Sequence, residues 1–255
     1  MTSVLSLEQF WQSPSRQLLA YPNGDENTLT RRWAELQALD LEFIESYGPK
    51  ILAGLNILGL GYCGVVLRVR YQGIDRVLKI RREPSPQVSL SVEAKMLQRA
   101  NAVSVGPGYV VHSDNFLLMD YIDGPMLVDR LQELQSLETI NRILAQLIHQ
   151  AYRLDQIGLD HGDLRCITAH ALVHSQEPVL IDFSKASLDR RPANVTTLVQ
   201  GLFISTYVTN LLRPWFPHVN KLDVIEHLRR YKLQPSSNHV SRLLEYLGLN
   251  GVSYT

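Results

Sequence analysis

Between His161 and Ser184 the chain reads HGDLRCITAHALVHSQEPVLIDFS, and this stretch limits the fold more than any other. It parses as a polar loop, a short strand over 171–173, a turn at 176–178, and an apolar strand over 179–181 that ends on Asp182. A carboxylate directly after an apolar run is costly to desolvate without a cation beside it. Asp163 lies in the loop before the hairpin, so the turn predicts that Asp163 and Asp182 share one rim. A proton acceptor beside a metal-holding carboxylate is what phosphoryl transfer requires, because that chemistry rests on positioning and charge neutralisation. Taken alone, the pair fits two solvated loop acids equally well, so the rest of the chain has to decide.

A chain of 255 residues, 45% hydrophobic and 20% charged, can bury a full core as one two-lobed domain or two small ones. Its formal net charge is zero, so no overall field favours nucleic acid or an anionic membrane, and direct nucleic-acid binding is not indicated. Two cysteines, Cys63 and Cys166, make no disulfide framework; they read as small buried thiols. The start MTSVLSLEQFWQSPSR lacks a secretory pattern, so a cytoplasmic location is the expectation. Residues 192–212 carry no charge, yet Asn194, Thr196, Thr197, Gln200, Ser205, Thr206, Thr209 and Asn210 are a heavy polar load for hydrocarbon. That segment reads as one helix buried in a helical lobe, and no membrane association is expected.

Residues 1–28 are short periodic pieces broken at Pro14 and at Pro22-Asn23-Gly24, a weakly specified arm. From Thr30, the spacing of Trp33, Leu36, Leu39, Phe43 and Tyr47 predicts a helix stopped by Gly48-Pro49. Residues 51–80 predict three antiparallel strands, with Val65, Leu67 and Val69 alternating against a wetter face of Val66, Arg68 and Arg70. A helix resumes near Ser89, and two more strands follow around 109–112 and 115–120. Beyond Gly124-Pro125 the pattern is mostly helical, with a stripe of Ile140, Leu144, Leu147, Ala151 and Leu154, and tail helices near 223–231 and 237–247 capped by Asp223 and Ser237. The fold class is therefore α+β: a small antiparallel sheet carrying one helix, then a reduced helical lobe, with a cleft between unequal lobes. The expected division is a helical extension over 1–50, a β-rich lobe over 51–122 and a helical lobe over 123–255.

Gly59 to Val66 spell G-x-G-x-x-G-x-V between two strands, where glycines let backbone amides approach phosphate oxygens. A strand follows rather than a helix, which excludes the Rossmann reading and leaves a phosphate-covering hairpin. Lys79 shares a strand face with Val77, so an ammonium directed inward requires a partner. Glu93 lies on a helical stripe with Met96, Leu97 and Ala100 and supplies that partner.

In this order the residues resemble the protein-kinase-like superfamily over roughly 59–182. Lys79 is similar to the strand lysine and Glu93 to its helix partner. Met119-Asp120-Tyr121, continuing to Ile122, resembles the gatekeeper and hinge that read adenine. His161-Gly162-Asp163-Leu164 resembles H-R-D-L, and Asp182-Phe183-Ser184 resembles D-F-G. The His-Gly-Asp form and the small size are closer to the RIO family and the small kinase of the KEOPS complex than to signalling kinases. The resemblance implies ATP with Mg²⁺ or Mn²⁺. It casts Asp163 as the acceptor of the attacking hydroxyl's proton, Asp182 as the metal ligand, and Lys79 as the α/β-phosphate ligand under Gly59, Gly61, Gly64 and Val66. Arg165 stands where the family places a lysine that neutralises the γ-phosphate. The family's second metal ligand, an Asn, is replaced by Thr168 counting forward from Asp163, or by His170 counting back from Asp182. Ser184 replaces the third D-F-G residue. The implied activity is that of an atypical serine/threonine protein kinase with an unknown protein substrate or partner. A small-molecule kinase of aminoglycoside or choline kinase type and a nucleotide-binding pseudokinase scaffold are the alternatives.

Overall fold

The computed structural model describes residues 3–204 and 207–250. The chain separates into two compact units, residues up to 98 with 108–121, and 99–107 with 122 onward.

In the first unit, β1 (Ser3–Ser6) and α1 (Leu7–Gln12) lead into a 3₁₀ turn (Pro14–Ala20), α2 (Glu26–Gln37) and β2 (Phe43–Ser46). Then come β3 (Lys50–Leu52), β4 (Leu55–Ile57), β5 (Gly59–Leu60), β6 (Gly64–Tyr71) and β7 (Ile74–Arg81). Helix α3 (Ser91–Asn101) precedes β8 (Tyr109–His112) and β9 (Phe116–Asp120). One antiparallel sheet runs β1-β2-β6-β7-β9-β8 with β5 paired to β6, while β3 and β4 form a separate hairpin. The alternation along β6 is realised: Val65, Leu67 and Val69 are fully buried, and Val66, Arg68 and Arg70 face a wetter side.

The amino-terminal region differs from expectation. The predicted helix through Tyr47 ends ten residues early: Asp40 takes a left-handed φ of 55°, and Glu42 donates to the Arg70 carbonyl at 3.0 Å. Phe43 and Tyr47 fit the helical spacing, but Ile44 buries itself better in a strand paired with Val69. The arm is also well built over residues 3–28. Ser6 and Gln9 form a capping box on α1, and Phe10, Leu18 and Leu19 are fully buried in one core with Leu29, Leu36, Ile44, Leu67 and Leu78. Arg32 of α2 is fully buried, donating to the carbonyls of Leu19 and Arg81 at 2.6 Å and to Glu83 at 2.6 Å. Burial lowers its pKa to about 10, so it stays charged. Residues 3–50 thus give β1 and β2 to the sheet and Phe10, Leu18, Leu19, Leu29 and Leu36 to its core, rather than forming a helical extension.

In the second unit, α4 (Leu127–Glu133) and α5 (Leu137–Gln156) precede a 3₁₀ turn (Leu164–Ala169) and the hairpin of β10 (Ala171–His174) and β11 (Glu177–Leu180). A second 3₁₀ turn (Phe183–Lys185) leads to α6 (Asn194–Phe203), α7 (Tyr207–Leu212), α8 (Lys221–Leu233) and α9 (Ser237–Tyr246). The stripe on α5 is buried as its spacing requires, and Val195, Leu198, Val199 and Leu202 of α6 are fully buried. The charge-free segment is two helices instead of one; Ser205 and Thr206 lie outside the described residues. Asn220 and Ser236, not Asp223 and Ser237, cap the last two helices. Cys63 is half-buried and Cys166 exposed, against the expected pair of buried thiols, because the turn carrying Cys166 presents it to solvent. Among the described residues, no helix is long and apolar enough to cross a membrane.

Candidate active site

Within the first unit, antiparallel pairing sets Lys79 opposite Val66 on β6 and Leu117 on β9. Its ammonium reaches Glu93 on α3 at 2.7 Å, with the two side chains only 6% and 2% exposed. A Cβ on Gly64 would lie 3.0 Å from the Lys79 stem and from the Ile80 carbonyl, so a side chain there would press on the lysine. The Gly61 N–H closes the turn onto the Gly64 carbonyl at 2.9 Å, and the Gly61 carbonyl accepts from Arg82 at 3.0 Å. A Cβ at Gly59 or Gly61 would meet no described atom closer than 3.7 Å. Crowding among those residues therefore does not require glycine at either position.

Met119 pairs with Val77 across β7 and β9, and Asp120 forms an ion pair with Arg76. The Asp120 N–H donates to the Gly108 carbonyl at 2.8 Å, so that donor is already committed. The Tyr121 ring lies edge-on to Tyr47 at 6.3 Å, and the Arg68 guanidinium sits 4.7 Å from both rings. Ile122 belongs to the second unit.

There, the β10–β11 hairpin sets the loop. The Ile181 N–H donates to the His170 carbonyl at 3.0 Å, tying both ends of the hairpin together. Asp182 follows in the left-handed region at φ 65°, a conformation that Asp tolerates better than most residues. Its carboxylate accepts from the Ser184 N–H at 3.3 Å and so caps the turn Phe183–Lys185. Positive φ falls on Asp182 and not on Ser184, so serine fits here without glycine's freedom.

That turn delivers Lys185, whose ammonium lies 2.7 Å from Asp163 Oδ2; the same oxygen is 3.4 Å from His170 Nε2. The hydrogen bond that Lys185 donates to Asp163 raises the Lys185 pKa. His170 Nδ1 donates to the Cys166 carbonyl at 2.8 Å, which orients the ring with Nε2 beside Asp163. Of the two positions left open by the sequence, His170 is nearly buried next to Asp163, whereas Thr168 is exposed. Arg165 is exposed as well.

The loop is anchored from behind. His161 is fully buried; its N–H donates to Asn194 Oδ1 at 2.8 Å and its ring Nε2 to the Ile181 carbonyl at 3.1 Å. Burial pushes the imidazole down to about 4, so it is neutral at pH 7. Asn194 Nδ2 in turn donates to Asp155 at 2.8 Å and to the Leu159 carbonyl at 2.6 Å, and Tyr231 donates to Asp155 at 2.7 Å. A relay from α8 through α5 and α6 thus fixes the backbone before Asp163. Gly162 has φ +85°, and a Cβ there would lie 2.6 Å from the Lys185 carbonyl and from Arg190 Nη2. The second position of His-Gly-Asp therefore cannot carry an arginine here.

Sequence reasoning missed Lys185 and the anchoring role of Asn194. The only available signals were a cation directly after Asp-Phe-Ser and an Asn at a helix start.

A family model described as RIO domain matches residues 70–200, just over half of the chain. The chain belongs to the RIO family. Members of this family are atypical, protein-kinase-like phosphotransferases that bind ATP, and the mixed antiparallel sheet and helices agree with that fold. The matched span takes in Lys79, Glu93, Asp163 and Asp182 and begins after the glycine turn. No curated protein matches the chain.

Proposed function

We propose that this RIO domain protein is an atypical serine/threonine protein kinase that passes the γ-phosphate of ATP to a hydroxyl of a protein substrate. The observation that carries this reading is the buried Lys79–Glu93 pair. An ion pair this dry is rarely worth more than apolar packing of the same volume, so its presence favours a role for the ammonium beyond stability, holding α- and β-phosphates. Gly59 and Gly61, which no described neighbour crowds, suit a turn that admits phosphate oxygens.

Asp163 is the general base of this reading, with its carboxylate set by Lys185. A divalent cation suits the donors at hand. Asp182 offers hard carboxylate oxygens, and His170, with Nδ1 committed to a carbonyl, offers Nε2 in the arrangement common to imidazole ligands. No group of three or more His, Cys, Asp or Glu able to hold a metal occurs among the described residues. Mg²⁺ or Mn²⁺ bound there would neutralise charge on the phosphates.

The test combines nucleotide-induced thermal shift with ³²P transfer from ATP, with either cation, to the protein itself and to generic protein acceptors. Asp163→Ala is expected to lose turnover by about 10²–10⁴-fold while the thermal shift persists. Binding without transfer under both cations would replace this reading with a nucleotide-binding scaffold. Transfer confined to aminoglycosides or choline would replace it with a small-molecule kinase.

A further inference from the structure

The contact between Lys185 and Asp163 is more than a surface ion pair. The Lys185 backbone is fixed on several sides. Asp182 caps its turn, Arg190 donates to its carbonyl, and Ser187 exchanges two backbone hydrogen bonds of 2.9 Å with Asp160. Arg190 is itself paired with Asp160 at 2.8 Å. The ammonium, in contrast, sits at the end of a flexible stem, on a side chain 58% exposed. Exposed pairs of this kind are weak and exchange partners readily. A triphosphate presents several negative charges and outcompetes one carboxylate for such a cation.

We propose that Lys185 is a phosphate-directed residue that resting Asp163 holds in readiness: it leaves the carboxylate when ATP arrives and binds the terminal phosphate. This inference rests on the kinase reading above and assigns to Lys185 the charge neutralisation that the family resemblance gave to Arg165. In the step concerned, an acceptor hydroxyl oxygen forms a bond to the γ-phosphorus, and the bond from that phosphorus to the β,γ-bridging oxygen breaks with its electron pair on ADP. The hydroxyl proton passes to Asp163. Lys185 gives up no proton; its departure uncovers Oδ2 of Asp163 for that proton, and its charge meets the phosphate. One movement therefore both exposes the base and neutralises the group in transit.

The experiment measures ATP and ADP affinities by calorimetry for the full chain, together with kcat and KM for transfer. Lys185→Met is expected to weaken ATP by about 10–100-fold while leaving ADP unchanged, and to lower kcat to a similar degree. Lys185→Arg should recover part of both losses. In an Asp163→Asn background the ATP-specific loss should persist, because the lysine touches phosphate itself. If the loss vanishes there, Lys185 merely screens Asp163, and the inference is overturned. Equal weakening of ATP and ADP, or no change in either, also overturns it while leaving the kinase reading intact. A wild-type protein that binds neither nucleotide overturns both.

Discussion

Removing one member of the Lys79–Glu93 pair separates a structural account from a functional one. The side chains are 6% and 2% exposed and 2.7 Å apart, so Glu93→Ala takes the carboxylate away from a buried ammonium. Breaking a buried pair in this way costs about 3–5 kcal/mol, whereas replacing both members with apolar groups of similar volume is neutral or stabilising by about 1–4 kcal/mol. The expected series in urea unfolding, followed by circular dichroism, is therefore non-additive. Glu93→Ala and Lys79→Met each fall well below wild type, and the double variant Lys79→Met with Glu93→Leu returns to its level or above. At about 2–4 °C per kcal/mol, each single variant should lower the midpoint of thermal unfolding by about 6–20 °C. Nucleotide binding should follow the opposite logic and be lost in the double variant despite its restored stability. A double variant that still binds ATP at wild-type affinity would refute the argument that the pair exists for the phosphates. Single variants within about 1 kcal/mol of wild type would refute the energetic premise.

Gly162→Ala should cost about 1–2 kcal/mol from its left-handed backbone alone, and more where the new Cβ meets the Lys185 carbonyl; an unchanged urea midpoint would contradict the crowding. His161 has a folded pKa near 4 against an ordinary 6.5, so its contribution is present above pH 6.5 and lost as pH falls toward 4, by about 3 kcal/mol. His161→Asn should flatten that acid limb in stability measured across pH 4–7; parallel curves for the two proteins would show that the histidine is not its source.

What the sequence made legible is local and periodic. The Lys79–Glu93 contact follows from a strand period of two meeting a helical stripe, and the α+β class follows from the same patterns. The His-Gly-Asp and Asp-Phe-Ser loops were visible because a hairpin of ordinary length lies between them. What stayed hidden depends on pairings remote along the chain. Strand β2 is four residues long, and its place is set by Ile44 meeting Val69, a partner that no local period announces. Asn194 read as polar load on a helix because its partners, Asp155 and His161, lie 39 and 33 residues away. Lys185 is three residues from Asp182, but its importance comes from Asp163, which only the folded turn brings within reach.

The position of β2 beside β6 bears on how this protein can be dissected. The family-matched span begins at Arg70, near the end of β6. A fragment trimmed to it would shed β1, β2 and most of β6, together with Phe10, Leu18, Leu29 and Leu36 from the core. Strand β7, which carries Lys79, would keep β9 on one flank and expose a row of amide and carbonyl groups on the other. Bare edges of that kind recruit strands from other molecules. Such a piece would self-associate, and a failure to bind nucleotide would report the missing scaffold rather than the chemistry of the domain.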